Sequence, residues 1–122
     1  MITGINLSET KKFISKYDKG DPQTVFKIGV LDSEQMVYVM SEEGQILKTM
    51  TNAVRFGLKD VEKFLDAKGN EILFETEKKL FGGRQHDVVA DSIMKVIPTA
   101  VILEMGTEIM KMSDLSEQEA KN

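Results

Sequence analysis

Cysteine and tryptophan are absent from this chain, histidine occurs once and proline twice. The missing cysteine excludes disulfides, thiolate nucleophiles, iron–sulfur clusters and Cys-ligated zinc together. It fits a reducing compartment. Long apolar runs are missing too. The longest, MVYVM (36–40), has five residues, against the ~20 needed to span a bilayer. The opening MITGINLSETKK holds no apolar stretch of signal-peptide length, so the cytoplasm is the expected location. Dense basic segments are also lacking. Acidic residues outnumber basic ones 20 to 16, and the two signs are interleaved at a net charge of −4. Binding to nucleic acid needs a concentrated basic surface, so no nucleic-acid partner is expected.

What is there describes an ordinary globular chain. With 41% hydrophobic and 30% charged residues, it can close a core, which rules against disorder throughout. Its 122 residues make one domain, and folding at that size removes roughly 65% of the unfolded surface from water. Eight methionines suit both an irregular core and an adaptable binding surface.

The pattern along the chain predicts an α+β fold: a single small domain of amphipathic helices packed with a short antiparallel β-meander. Residues 1–23 are polar and broken by Gly4, Gly20 and Pro22. They read as an N-terminal arm, with a short helix in LSETKKFISKY capped by Ser8 and a turn at YDKGDP. Residues 24–115 read as the core domain. TVFKIGVL (24–31) is a strand, rich in β-branched and aromatic side chains. DSEQMVYVM fits helix or strand, and its cap at Asp32 or Ser33 favours helix. In GQILKTMTNAVRFGL, Ile46, Leu47, Met50, Ala53, Val54 and Leu58 recur at helical spacing and Gly57 is placed to end the helix. DVEKFLD, EILFETE–KKLF and RQHDVV, joined at AKGN and at Gly82–Gly83, predict a three-stranded meander. Asp91 is placed to cap SIMKVI. Pro98 is placed in the first turn of PTAVILEMGTEIMKM, where Val101, Ile102, Met105, Ile109 and Met112 share a side and Gly106 permits close packing. Residues 116–122 form a polar tail.

The sequence offers no complete catalytic set. His86, in GGRQHDVV, reads as a structural or surface residue, with an interface or catalytic role as the alternatives. Its neighbour Asp87 points to the opposite face of a strand, and neither a G-x-S-x-G elbow nor an H-E-x-x-H spacing is present. FGGRQ lacks the phosphate-loop spacing. The acidic turns around Asp18–Asp21 and Asp66–Glu71 lack the alternating ligands of a calcium loop. No catalytic residue, cofactor or metal is therefore expected, and the reading is that of a non-enzyme working by contact. The candidate interaction surface is the methionine-bearing helix faces, Met36, Met40, Met105 and Met112. The same faces, with an open sheet edge, invite self-association. No membrane partner is expected, because the last helix carries Glu104, Glu108 and Lys111 rather than a lysine-rich flank.

AVRFGLKDVEKFLDAKGNEILFETE, then VVADSIMKVIP and LSEQEAKN, resembles small proteins from the structural-gene region of tailed phages and prophages, and among them tail assembly chaperones. The resemblance runs from about residue 24 to the end. It departs at Asp60, where the pattern has glycine, and at Gln118, where it has glutamate. It implies a non-enzymatic morphogenesis protein in the cytoplasm of the bacterial host, binding the tape measure protein during tail assembly. The alternatives it leaves are a minor virion component or a host-directed inhibitor or decoy. It also implies a longer product made by frameshifting, since Ala-Lys-Asn can be encoded as GCA AAA AAC, a slippery sequence.

Overall fold

The computed structural model describes residues 1–41 and 44–113. Expectations for residues 114–122, including the polar tail, lie outside the described residues. The order is β1 (Thr10–Phe13), β2 (Val25–Gly29), α1 (Ser33–Met40), α2 (Ile46–Gly57), β3 (Leu58–Glu62), β4 (Thr76–Phe81), β5 (Arg84–Val89), α3 (Asp91–Met94) and α4 (Thr99–Ser113). The fold is α+β. The strands form two antiparallel sheets, one ordered β1-β2-β3 and the other the β4-β5 hairpin.

The helices follow their local signals. Asp32 caps α1 with a full capping box: its carboxylate accepts from Gln35 N, and the Gln35 side chain accepts from Asp32 N. Pro98 lies one residue earlier than expected, just ahead of α4, its carbonyl accepting from Val101 N and Ile102 N. Val101, Ile102, Met105, Ile109 and Met112 are all buried, as their spacing predicts. Asp91 departs from expectation. Ala90 is the N-cap of α3, and the Asp91 carboxylate instead binds Lys79 and Arg55.

The strands depart further. Thr10–Phe13 is a strand and not part of a helix. It pairs antiparallel with β2, Thr10 opposite Gly29 and Phe13 opposite Phe26. The arm residues thus supply the sheet's outer strand. Lys11 and Lys12 suit a solvent-facing edge, and Phe13 buries part of its ring against Phe26, centroids 6.5 Å apart. The meander predicted over 60–89 is divided. Leu58–Glu62 pairs with β2, and EILFETE meets its expected partner only through the isolated bridge between Leu65 and Glu71. Asp60, at the glycine position of the resembling pattern, lies within β3. The positive φ falls on Lys63, at 58°.

Gly82 and Gly83, at φ 58° and 81°, make the tight turn of the β4-β5 hairpin, a backbone region that favours glycine at both positions. The core lies between the three-stranded sheet, α2, α4 and the inner face of β5. Ile28, Leu31, Val39, Val54, Met105 and Ile109 have no exposed surface there.

Candidate functional site

The methionines do not share a surface. Met105 and Met112 are core side chains, buried against α2 and the sheet. Met36 is half-buried against the same cluster. Met40, at the end of α1, is 59% exposed. Helical spacing places Met105 and Met112 on one face, but only packing decides whether that face meets solvent or another element.

Large apolar side chains stand in solvent in several places, among them Leu7, Leu65, Leu73 and Leu80, and four of them flank the connection between α1 and α2. Val37 and Met40 lie one turn apart on α1 at 67% and 59% exposure, and Ile46 and Leu47 open α2 at 71% and 48%. Periodicity assigns Ile46 and Leu47 to the buried face of α2. The buried stretch begins only at Ala53; α4 approaches α2 from Met50 onward, with Gly106 against Met50 and Gly57 against Ile109. An open hollow of about 520 Å³ runs beside Gln45, Ile46, Leu47 and Thr51.

A second apolar hollow, of about 250 Å³, lies between the Ser15–Thr24 connection and the start of α4, with Tyr17, Phe26, Phe64 and Val101 in its wall. The connection is held by polar contacts. The Ser15 hydroxyl donates to Glu104, Lys16 N donates to the other oxygen of that carboxylate at 3.1 Å, and Lys11 meets Glu108 at 2.8 Å. The Lys11 ammonium holds the Glu108 carboxyl below its ordinary value.

His86 is mostly enclosed, its side chain 11% exposed. Tyr38, Phe56 and Phe81 surround it at ring centroids 5.7, 5.8 and 5.9 Å away. Its Nε2 lies 3.4 Å from Glu34 Oε1, yet the contact lacks hydrogen-bond geometry and Nε2 has no partner. Glu34 also faces Arg84 at 3.6 Å and the Tyr38 hydroxyl at 3.4 Å. That hydroxyl donates to Phe81 O at 3.0 Å. Burial, and then the Glu34 charge, pushes the Tyr38 hydroxyl above its ordinary value. The contacts of His86 are thus three aromatic rings and the Glu34 carboxylate.

The two acidic turns use their carboxylates locally. Asp18 accepts from Gly20 N and Thr24 N, which lowers its carboxyl from the ordinary value. Asp66 accepts from Lys68 N and Asn70 N. Among the described residues no group of three His, Cys, Asp or Glu side chains is placed to hold a metal, and no helix is long and apolar enough to cross a membrane.

Compared with known protein families, curated proteins and solved structures, the chain has no match.

Proposed function

We propose that this chain is a non-enzymatic binding protein of tailed-phage morphogenesis, a tail assembly chaperone that holds the tape measure protein in the cytoplasm of the bacterial host. The observation that carries the reading is the α1–α2 corner, where Val37, Met40, Ile46 and Leu47 stand in solvent within eleven positions of chain. A domain with a core this complete gains nothing internal from leaving these four side chains in solvent, and exposed apolar surface is what a contact site offers a partner. Met40 adds an adaptable, polarizable side chain, which suits a client whose sequence varies along its length. An amphipathic client helix laying its apolar stripe against the corner is the recognition mode that fits. The resemblance of AVRFGLKDVEKFLDAKGNEILFETE to tail assembly chaperones supplies the identity of the client.

The test is co-expression of the chain with the tape measure protein, followed by co-purification. The expected result is a soluble complex with the native chain. The paired substitution Val37→Ser with Ile46→Ser removes two exposed groups and leaves the core intact. It is expected to weaken capture by at least about tenfold, since burying one such side chain contributes about 1.5–3 kcal/mol. A native chain that captures no tape measure protein sinks the reading. Its recovery in purified particles at fixed stoichiometry would then favour a virion component, and tight one-to-one capture of a host enzyme would favour a host-directed inhibitor.

A further inference from the structure

The seam between α1 and the β4-β5 hairpin is built from very few groups. Tyr38 seats its ring against Phe81 at 5.8 Å and donates its hydroxyl to Phe81 O. Glu34 reaches Arg84 and His86. No backbone pairing joins a helix to a hairpin, so these side chains hold the two together. Within the seam, His86 Nε2 is shut off from solvent and unpartnered, a state that costs roughly 1–3 kcal/mol for a buried polar group. The nearest group able to satisfy it is Glu34 Oε1, 3.4 Å away. A neutral imidazole carries one N–H, and an imidazolium carries two. With both nitrogens protonated, Nε2 donates to the carboxylate whichever tautomer the neutral ring holds, and the bond is charge-assisted, roughly twice as strong as a neutral one. The geometry points to a proton-operated catch: proton uptake by His86 closes the Nε2–Glu34 contact and tightens the hairpin onto α1.

The other charges around the ring do not reverse this. Lys79 is directly opposite His86 in the hairpin register, but its ammonium is engaged by Asp91 at 2.9 Å and Glu77 at 3.6 Å. Arg55, from α2, is bound to the same Asp91 at 2.7 Å. Arg84 lies against the other oxygen of Glu34. Glu77 shares the inner face of the hairpin, and its Oε1, which makes no hydrogen bond, faces the Lys79 ammonium. Asp87 lies on the outer face with Lys78. The contact with Glu34 is therefore the deciding one. Asp91, held below its ordinary value of 3.8, does not change charge near neutral pH.

The measurement is native-state amide exchange of β4 and β5 in the full chain at about pH 5.5 and about pH 7.5, bracketing the imidazole range and corrected for intrinsic exchange. Protection is expected to be about fivefold greater at the lower pH, the difference between a charged and a neutral hydrogen bond. Glu34→Gln, at a side chain 37% exposed, is expected to keep the fold and abolish the difference, and His86→Gln to abolish it as well. Equal protection at both pH values overturns the proposal. So does greater protection at the higher pH, which would mean that desolvation of the imidazolium outweighs Glu34. A pH difference that survives Glu34→Gln overturns it too.

Discussion

Gly106 and Gly57 show how single residues set the distance between α2 and α4. A Cβ on Gly106 would lie 2.8 Å from Met50 Cβ and 2.9 Å from Met50 O, and one on Gly57 would lie 2.7 Å from Ile109. Each helix offers a bare backbone where the other presents a side chain, so the pair interlocks twice. Alanine gains about 1 kcal/mol over glycine inside a helix, while forcing extra volume into a packed interface costs about 1–3 kcal/mol. At Gly106 the obstruction includes backbone, which cannot rotate away, so packing wins. Gly106→Ala is expected to lower stability by about 1 kcal/mol or more, read from the urea midpoint at constant m. A variant as stable as the native chain would mean that α2 and α4 part without loss.

At the scale of elements, α1 is the most dependent on its terminus. It has eight residues, too short to persist alone, since isolated helices of about 12–15 residues are already marginal. Its capping box satisfies donors at both sides of the first turn, and Val39 anchors it in the core with no exposed surface. Removing the cap by Asp32→Ala is expected to cost about 1 kcal/mol and to raise amide exchange along α1 first. Unchanged α1 exchange would assign the helix to tertiary packing alone. The same helix carries Val37 and Met40 outward and Glu34 and Tyr38 to the hairpin.

For the whole molecule, ion pairs add to the core by tying together elements far apart in the chain. Asp91 at the start of α3 accepts from Lys79 on β4 and Arg55 on α2, and these two bonds, Lys79 first, hold its carboxyl below the ordinary 3.8. Glu108 on α4 is held below its ordinary 4.5 chiefly by Lys11 on β1. A carboxyl depressed in the folded state contributes stability that is present above its unfolded value and is lost as pH falls through the folded one. The Glu108 contribution is therefore expected to fall as pH drops through its ordinary 4.5 and the Asp91 contribution as pH drops through its ordinary 3.8, each continuing down to the lower folded value. Asp91→Asn should flatten the acid limb of a pH–stability curve measured by chemical denaturation. An unaltered acid limb would show that the pair contributes nothing, as many exposed ion pairs do.

Local chemistry was legible where it acts locally. The α+β class, the Asp32 cap, the spacing of α4, the close approach at Gly106 and the Gly82–Gly83 turn all follow from residues within a few positions of one another. The features that differ depend on partners far along the chain. Thr10–Phe13 has a helix-compatible neighbourhood and becomes a strand because β2, at 25–29, offers it hydrogen bonds and a ring for Phe13. Leu58–Glu62 takes β2 instead of the following segment for the same reason. Ile46 and Leu47 carry the same periodic signal as Ala53 and Val54, and only the latter pair is buried. Glu34 and His86, 52 positions apart in the chain, meet because α1 and the hairpin fold against each other. Periodicity states that a face is apolar, and capping and turn residues state where an element starts and stops. Which face is covered, which strand pairs with which, and which side chains face one another depend on long-range packing, and there burial and non-local hydrogen bonds outweigh the local preference of each segment.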